Sequence, residues 1–249
     1  MELERKVALI TGGTKGIGAA TAVSLAARGA EIAIVGRYDD EQAAWTKANV
    51  EARGRSCLMV TADLARPQEA TRSVDEVVER LGAVDVLIHC AGGNIPGGLF
   101  EVTPEAWYEA FDVHVHAIFH LCRAAIPWMQ KRKEGSVILI SSVAGLRGVP
   151  MNLTYQVVKG SLPQFARALA REFADDNVRV NCVAPGIIRT RFHDKMTPEQ
   201  KQHNLDNRIP LHREGTPEQV ADLITELASN DYITGETFTI DGGLTMRIA

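Results

Sequence analysis

The chain is poor in features that would announce a special environment. Four cysteines stand in 249 residues. Cys57, Cys90, Cys122 and Cys182 are widely spaced and three lie in apolar runs, so they read as reduced core thiols rather than a disulfide frame or a zinc set. No apolar run reaches the length of a bilayer span. Met1-Glu2-Leu3-Glu4-Arg5-Lys6 leads straight into a strand-like run without a signal-peptide core, and the expectation is a cytoplasmic protein. Charge of one sign is lacking too: the formal net charge is −4 with acids and bases interspersed. That leaves no electrostatic argument for nucleic acid or a membrane as partner. No Gly-x-Ser-x-Gly elbow is present, which argues against a serine hydrolase. His114, His116 and His120 crowd one stretch, but no Glu or further Cys/His completes a metal motif, and no metal is expected.

What is present is a hydrophobic content of 45%, enough for a substantial core, and a regular alternation of apolar runs with helical patterns. Val7 to Ile10 reads as a strand. It enters Thr11-Gly12-Gly13-Thr14-Lys15-Gly16-Ile17-Gly18, and a helix follows from Ala19 to Arg28. Strand, glycine turn and helix in that order open a dinucleotide-binding unit: Gly12 and Gly16 let the backbone approach a pyrophosphate, and Gly18 lets the helix pack closely. Glu31 to Gly36 is a second strand with Arg37 just beyond it. An acid there would accept from a ribose 2′-hydroxyl, whereas an arginine pairs with a 2′-phosphate. Arg37 and Lys15 therefore favour NADP(H), while Asp39 and Asp40 keep NAD(H) as the alternative. A helix over 41–53, a strand over 56–61, Asp63-Leu64, a helix from Pro67 to Leu81 and a strand from Val84 to His89 continue the alternation. Asp63 sits where a strand end meets an adenine, or else caps the next helix. Cys90-Ala91-Gly92 is small enough to pass close to a cofactor.

In the second half, the spacing predicts one long helix from Pro104 to Met129 whose packing residues include Trp107, Phe111, Val115, Ile118, Phe119 and Cys122. Ser136 to Ile140 is a fifth strand ending in Ser141-Ser142. Tyr155 and Lys159, four apart, share one face of a helix capped by Asn152 or Thr154. Pro163 is expected to kink that helix, which then resumes. Val178 to Val183 is a sixth strand leading into Pro185-Gly186, Ile188 and Thr190. Residues 187–210, with Arg191, His193, Lys195 and His203, read as a polar substrate lid containing short helices. Thr216 with Glu218 and Gln219 starts another helix, and Gly235 to Ile240 supplies a seventh strand before an apolar tail of Leu244, Met246 and Ile248 that suits a neighbouring subunit. The whole reads as one α/β domain over 1–249, a doubly wound seven-stranded parallel sheet with helices on both faces.

Taken together, these segments resemble the short-chain dehydrogenase/reductase family in its 250-residue form, along nearly the whole chain. Thr11-Gly12-x-x-x-Gly16-Ile17-Gly18 resembles its cofactor turn, and Asp63 its adenine-contacting acid. Cys90-Ala91-Gly92 resembles its Asn-Ala-Gly segment with cysteine for asparagine. Ser142, Tyr155 and Lys159 match its catalytic trio, and Pro185-Gly186 with Thr190 its Pro-Gly-x-x-x-Thr segment. The resemblance implies cofactor contacts from Gly12, Thr14, Lys15, Gly16, Ile17, Gly18, Arg37, Asp63, Leu64, Cys90, Ala91, Gly92, Tyr155, Lys159, Pro185, Gly186, Ile188 and Thr190. It also implies interconversion of a carbonyl and an alcohol with Tyr155 as general acid/base, in a homotetramer or homodimer. His114 stands where the family has an asparagine that supports a proton relay, and its imidazole would serve the relay, titrating near neutrality, or merely fill space. Two alternatives accompany this reading: an NAD(H)-dependent alcohol or sugar dehydrogenase of the same fold, and a non-catalytic cofactor-binding regulator. The substrate stays open. Asn94 and the lid suit a sugar or keto acid, whereas Leu146, Val149 and Met151 suit a hydrophobic ketone or acyl chain.

Overall fold

The computed structural model describes residues 1–194 and 196–246; Lys195 of the anticipated lid and Ile248 of the anticipated tail lie outside the described residues, as does the side chain of His193. Seven strands form one sheet in the order β3-β2-β1-β4-β5-β6-β7. They are β1 (Val7–Thr11), β2 (Glu31–Gly36), β3 (Cys57–Thr61), β4 (Val86–His89), β5 (Gly135–Ile140), β6 (Val178–Pro185) and β7 (Thr237–Ile240). All neighbours pair in parallel, with Leu9 opposite both Ala33 and Leu87. The chain steps outward from β1 to β3 and then returns to β4 on the other side of β1. A crevice opens at the carboxyl ends of β1 and β4, where that reversal occurs.

Every residue of β1, β4, β5 and β6 is buried, as continuous apolar runs demand when helices cover both faces. On one face lie α3 (Pro67–Leu81), α5 (Ala117–Arg132) and α6 (Leu153–Glu172), which give Val74, Val77, Leu121, Met129 and Leu162 to the core. On the other lie α1 (Gly16–Ala27) and α8 (Pro217–Ser229), giving Ala22, Leu25, Val220 and Ile224. Two buried charges are used structurally. Arg179 on β6 donates to the Leu227 and Ala228 carbonyls, each at 2.7 Å, and so caps the C-terminus of α8. Asp85 accepts from the Val7 amide at 2.9 Å and from Arg132 at 2.7 Å. Thr216 and Gln219 form a capping box at the start of α8.

Three local expectations need correction. The long helix from Pro104 is broken: α4 (Pro104–Phe111) passes through a π-helical turn, Asp112–His116, before α5 begins. The extra residue shifts the phase of everything that follows. Ile118 and Cys122 stay buried, but Phe119 turns outward to 51% exposure instead of packing. Second, α6 continues without a break through Pro163 from Leu153 to Glu172. Third, neither proposed cap forms. Asn152 is the N-cap residue without a side-chain capping bond, and Thr154 Oγ1 is buried without a partner.

Candidate active site

The glycine turn closes under the end of β4. Gly12 has a φ of +64°, and a Cβ there would lie 2.9 Å from the Ala91 amide nitrogen. Gly18 seats α1 directly on the turn, since a Cβ at that position would approach the Gly12 carbonyl oxygen to 2.3 Å. At Gly16 the methyl of Thr190 lies 3.4 Å from where a Cβ would be, so the segment after β6 meets the glycine turn across the crevice. The N-terminus of α1 has no side-chain cap and no acid in its first turn, unlike α2 (Glu41–Glu51), α4 and α8, which are capped by Asp40, Thr103 and Thr216. Uncapped amides facing a backbone-lined cradle fit a pyrophosphate.

Around this cradle, Thr14 packs its methyl against Gly36 and accepts at its carbonyl from Thr46 Oγ1 at 3.1 Å, while Lys15 is exposed and Ile17 half-buried. Arg37 lies at the end of β2, with Nε 3.7 Å from Asp63 Oδ1 and Nη2 4.0 Å from Glu109 Oε1. Asp63 does not cap α3; its Oδ1 accepts from the Ala65 amide at 3.2 Å, and Leu64 beside it is buried. Cys90 and Ala91 are half-buried and Gly92 exposed. Gly186, after Pro185, passes so near Asp241 that a Cβ would come within 2.6 Å of it. Ile188 is buried and bridges to Gly215, and Thr190 Oγ1 donates to the Ile188 carbonyl at 3.4 Å rather than capping the turn that follows.

Ser142, Tyr155 and Lys159 come together at the carboxyl end of β5, each less than one-tenth exposed. The Ser142 hydroxyl accepts from the Ala144 amide at 3.2 Å and lies close enough to the Tyr155 phenol to lower its pKa. Lys159 Nζ donates to the Ile140 carbonyl at 2.7 Å and lies 5.9 Å from the centre of the Tyr155 ring. Phe192 flanks the same ring at 5.7 Å between centroids. Burial pushes the phenol above its ordinary pKa, against a smaller opposing effect of Ser142. Burial likewise draws Lys159 down to about 8, opposed by Cys90 and Cys182. At neutral pH the site therefore holds a protonated phenol beside an ammonium close to its titration point.

The π-helical turn rotates His114 inward to 2% exposure, edge-on to Tyr155 with centroids 6.1 Å apart. Its Nε2 accepts from the Gly93 amide at 3.3 Å, so the proton sits on Nδ1, which is buried without a partner. The ring covers Gly92, where a Cβ would lie 2.1 Å from His114 Cε1. Burial, with Lys159 and His89 adding to it, drives the imidazole down to about 2. The expected titration near neutrality is thus overturned: His114 is neutral throughout the working range. His116 turns away to pair with Asp112 at 2.8 Å, and among the described residues no cluster could hold a metal ion.

Two features were missed from the sequence. His89 ends β4 fully inside the protein, with Nδ1 2.9 Å from Thr11 Oγ1 and its pKa drawn down by burial to about 3. A histidine closing the run Val-Leu-Ile-His was the available signal. Gln156 clamps the loop before α6, receiving the Val149 amide at 2.7 Å and donating to the Val149 carbonyl at 2.5 Å. Nothing in its neighbours' sequence marks that role.

The sequence model of the enoyl-(acyl carrier protein) reductase family matches residues 12–245. The 3-oxoacyl-(acyl-carrier-protein) reductase FabG of Thermotoga maritima is 35% identical over 246 residues, covering 98% of this chain and 99% of that protein. The structure of a short-chain type dehydrogenase/reductase from Mycobacterium ulcerans superposes with a TM-score of 0.93 at 30% identity, over 99% of this chain and 92% of that one. The chain belongs to the short-chain dehydrogenase/reductase family. It is an NAD(P)-dependent oxidoreductase of that family. The L-sorbose reductase of Gluconobacter frateurii, solved with NADPH and L-sorbose, has a TM-score of 0.91 at 29% identity, with both chains fully covered. In this short-chain dehydrogenase/reductase the uncapped α1 terminus and the backbone cradle at Gly12 and Ala91 fit such a dinucleotide.

Proposed function

We propose that this enzyme interconverts a carbonyl and a secondary alcohol, with Tyr155 carrying the proton and NADP(H) as preferred cofactor. The observation that carries the proposal is the buried group of Ser142, Tyr155 and Lys159 beside the glycine cradle. A bound nicotinamide would supply or accept the hydride at the substrate carbon. Ser142 orients the substrate oxygen by hydrogen bonding. Tyr155, held protonated by its burial, gives its proton to that oxygen as charge develops there during reduction. Lys159 stabilises the phenolate that results and would hold the nicotinamide ribose, and His114, neutral, offers its unpartnered Nδ1–H as a hydrogen-bond donor to a proton relay. The protonated resting phenol favours reduction at neutral pH; oxidation needs the phenolate and gains as pH rises.

Arg37 at the end of β2, with exposed Lys15, supports recognition of a 2′-phosphate. Asp63 and Glu109 already lie within 4.0 Å of that guanidinium, which is the specific support for NAD(H) as second reading. The remaining cofactor contacts follow the cradle: Thr14, Gly16, Ile17, Leu64, Cys90, Gly92, Pro185, Gly186, Ile188 and Thr190. Residues 187–210 serve as the substrate lid of this single domain. They fold as a 3-10 turn at Arg191–His193, a short helix α7 (Pro198–His203) and a π turn at Asn204–Arg208. The enzyme works in the cytoplasm as a homo-oligomer, tetrameric or else dimeric, whose contacts use the exposed Phe119 and Val157 on α5 and α6.

The test is a panel of ketones, keto sugars and acyl thioesters assayed by nicotinamide absorbance with NADPH and NADH, alongside light scattering. Reduction with a higher kcat/KM for NADPH is expected. A clear NADH preference overturns the role of Arg37, dinucleotide binding without any turnover favours the regulator, and a monomer contradicts the assembly.

A further inference from the structure

Two residues that the reaction leaves unused meet at the backbone of Lys159. Pro163 stands four positions along α6. In an α-helix the amide of residue 163 would donate to the carbonyl of residue 159, and proline has no amide hydrogen to give. A main-chain acceptor in the interior left without that donor is costly, and Lys159 is only 5% exposed. The Ser141 hydroxyl donates to this carbonyl at 2.6 Å. Ser141 is itself buried, and its two neighbours also hold the site. Ile140 accepts from Lys159 Nζ at 2.7 Å, and Ser142 lies beside the Tyr155 phenol. Two consecutive residues at the end of β5 therefore grip the lysine backbone and the lysine ammonium, and the next one adjoins the phenol. Gly145 presses on the same turn of α6, since a Cβ there would lie 2.6 Å from the Lys159 carbonyl carbon.

We propose that Ser141 is a positioning residue for Lys159: its hydroxyl replaces the amide that Pro163 withholds and ties the lysine-bearing turn of α6 to the end of β5. The inference rests on the proton-transfer roles proposed above for Tyr155 and Lys159. Loss of the hydroxyl alone frees that turn from the strand and moves the ammonium relative to the phenol. Loss of the hydroxyl together with the proline leaves an ordinary helical hydrogen bond in its place.

Ser141→Ala and Ser141→Ala/Pro163→Ala test this against the wild-type enzyme, each measured for NADPH binding, thermal midpoint and the pH dependence of kcat/KM in alcohol oxidation. Ser141→Ala should lose about ten- to a hundredfold in kcat, the scale at which small misplacements act. Its acid limb, which reports ionisation of the phenol, should move up by about one pH unit as the ammonium retreats. The double variant should regain both, because the second substitution restores a main-chain donor. A purely packing role for Ser141 would lower the thermal midpoint without moving the limb, and the second substitution would not repair it; either result overturns the proposal. Should Ser141→Ala not fold, the double variant decides alone: a folded protein with the wild-type limb supports the tie, and an unfolded one or a displaced limb refutes it. Should the wild type bind NADP+ but turn over no alcohol, the phenol's ionisation is followed instead by tyrosinate absorbance against Tyr155→Phe. The same shift and recovery are then required, so failure of the assigned reaction remains distinguishable from failure of the tie.

Discussion

The floor of the proposed active site and its rim are built on opposite principles. The floor consists of β5, the Ser141-Ser142 turn and α6, where Ser142, Tyr155 and Lys159 are all buried, with Ser142 and Lys159 tied to the backbone. The rim, the described residues of 187–213, is a run of short turns and the short helix α7, in which Arg189, Phe192 and Leu211 are exposed. It is held by local devices such as the Thr197–Gln200 capping box and the 3.5 Å pair between Arg189 and Glu214. A proton carrier needs a fixed geometry and a low dielectric, and both require burial. Substrate selection needs side chains that face solvent until a ligand arrives. Relatives named for a 3-oxoacyl-(acyl-carrier-protein) and for L-sorbose are 35% and 29% identical to this chain, so the overall likeness does not fix the substrate.

The comparison breaks if floor substitutions behave like rim substitutions. Lys159→Met should lower kcat by about a thousandfold, within the range for general acid–base groups, with folding retained by circular dichroism. Ser142→Ala should cost about a hundredfold in kcat, as loss of one donor to a developing oxyanion does. At the cofactor edge, Arg37→Ala should weaken NADPH binding by about tenfold, with NADH binding little changed in a fluorescence titration. A rim change such as Phe192→Ala should alter KM by only about threefold and leave the pH limbs in place. If it moves them, rim and floor are not separate.

The interior beside the floor also carries a stability signature, through His89 at the end of β4 and His114 in the π turn. His89 is drawn down to about 3 and His114 to about 2, both below the unfolded value of about 6.5. Between those limits the unfolded chain binds the extra protons. Stability is therefore intact above about pH 6.5 and is lost as the pH falls towards 3, by up to about 1.4 kcal/mol per pH unit for each histidine. His114→Asn should remove one such contribution, so its urea midpoint should fall less between pH 7 and pH 5 than that of the wild type.

The same contrast explains what could be read from the sequence. β2 and α3 have the anticipated ends because a short, continuously buried apolar run closed by Gly36, Pro67 at the helix start and Gly82 in a left-handed conformation at its close are local signals. Tyr155 and Lys159 could be paired because a four-residue step places them on one helical face. The π turn at Asp112–His116 could not be seen, since nothing local distinguishes it from α-helix; its gain is the burial of His114 over Gly92, a tertiary contact. For the same reason Phe119, a packing residue by unbroken helical spacing, is exposed. Pro163 suggested a kink because the donor it removes was visible, whereas Ser141, 22 positions earlier, meets the orphaned carbonyl only in the fold.

The central claim is that the phenol at position 155 carries the proton while a nicotinamide exchanges hydride with the substrate. Tyr155→Phe removes one oxygen from the site, and the direct measurement is a single-turnover reduction followed by NADPH absorbance, with NADPH affinity determined on the same protein. The account predicts affinity within about threefold of wild type and a reduction rate at least about a thousandfold slower. A Tyr155→Phe enzyme that binds NADPH and reduces substrate at the wild-type rate would contradict it.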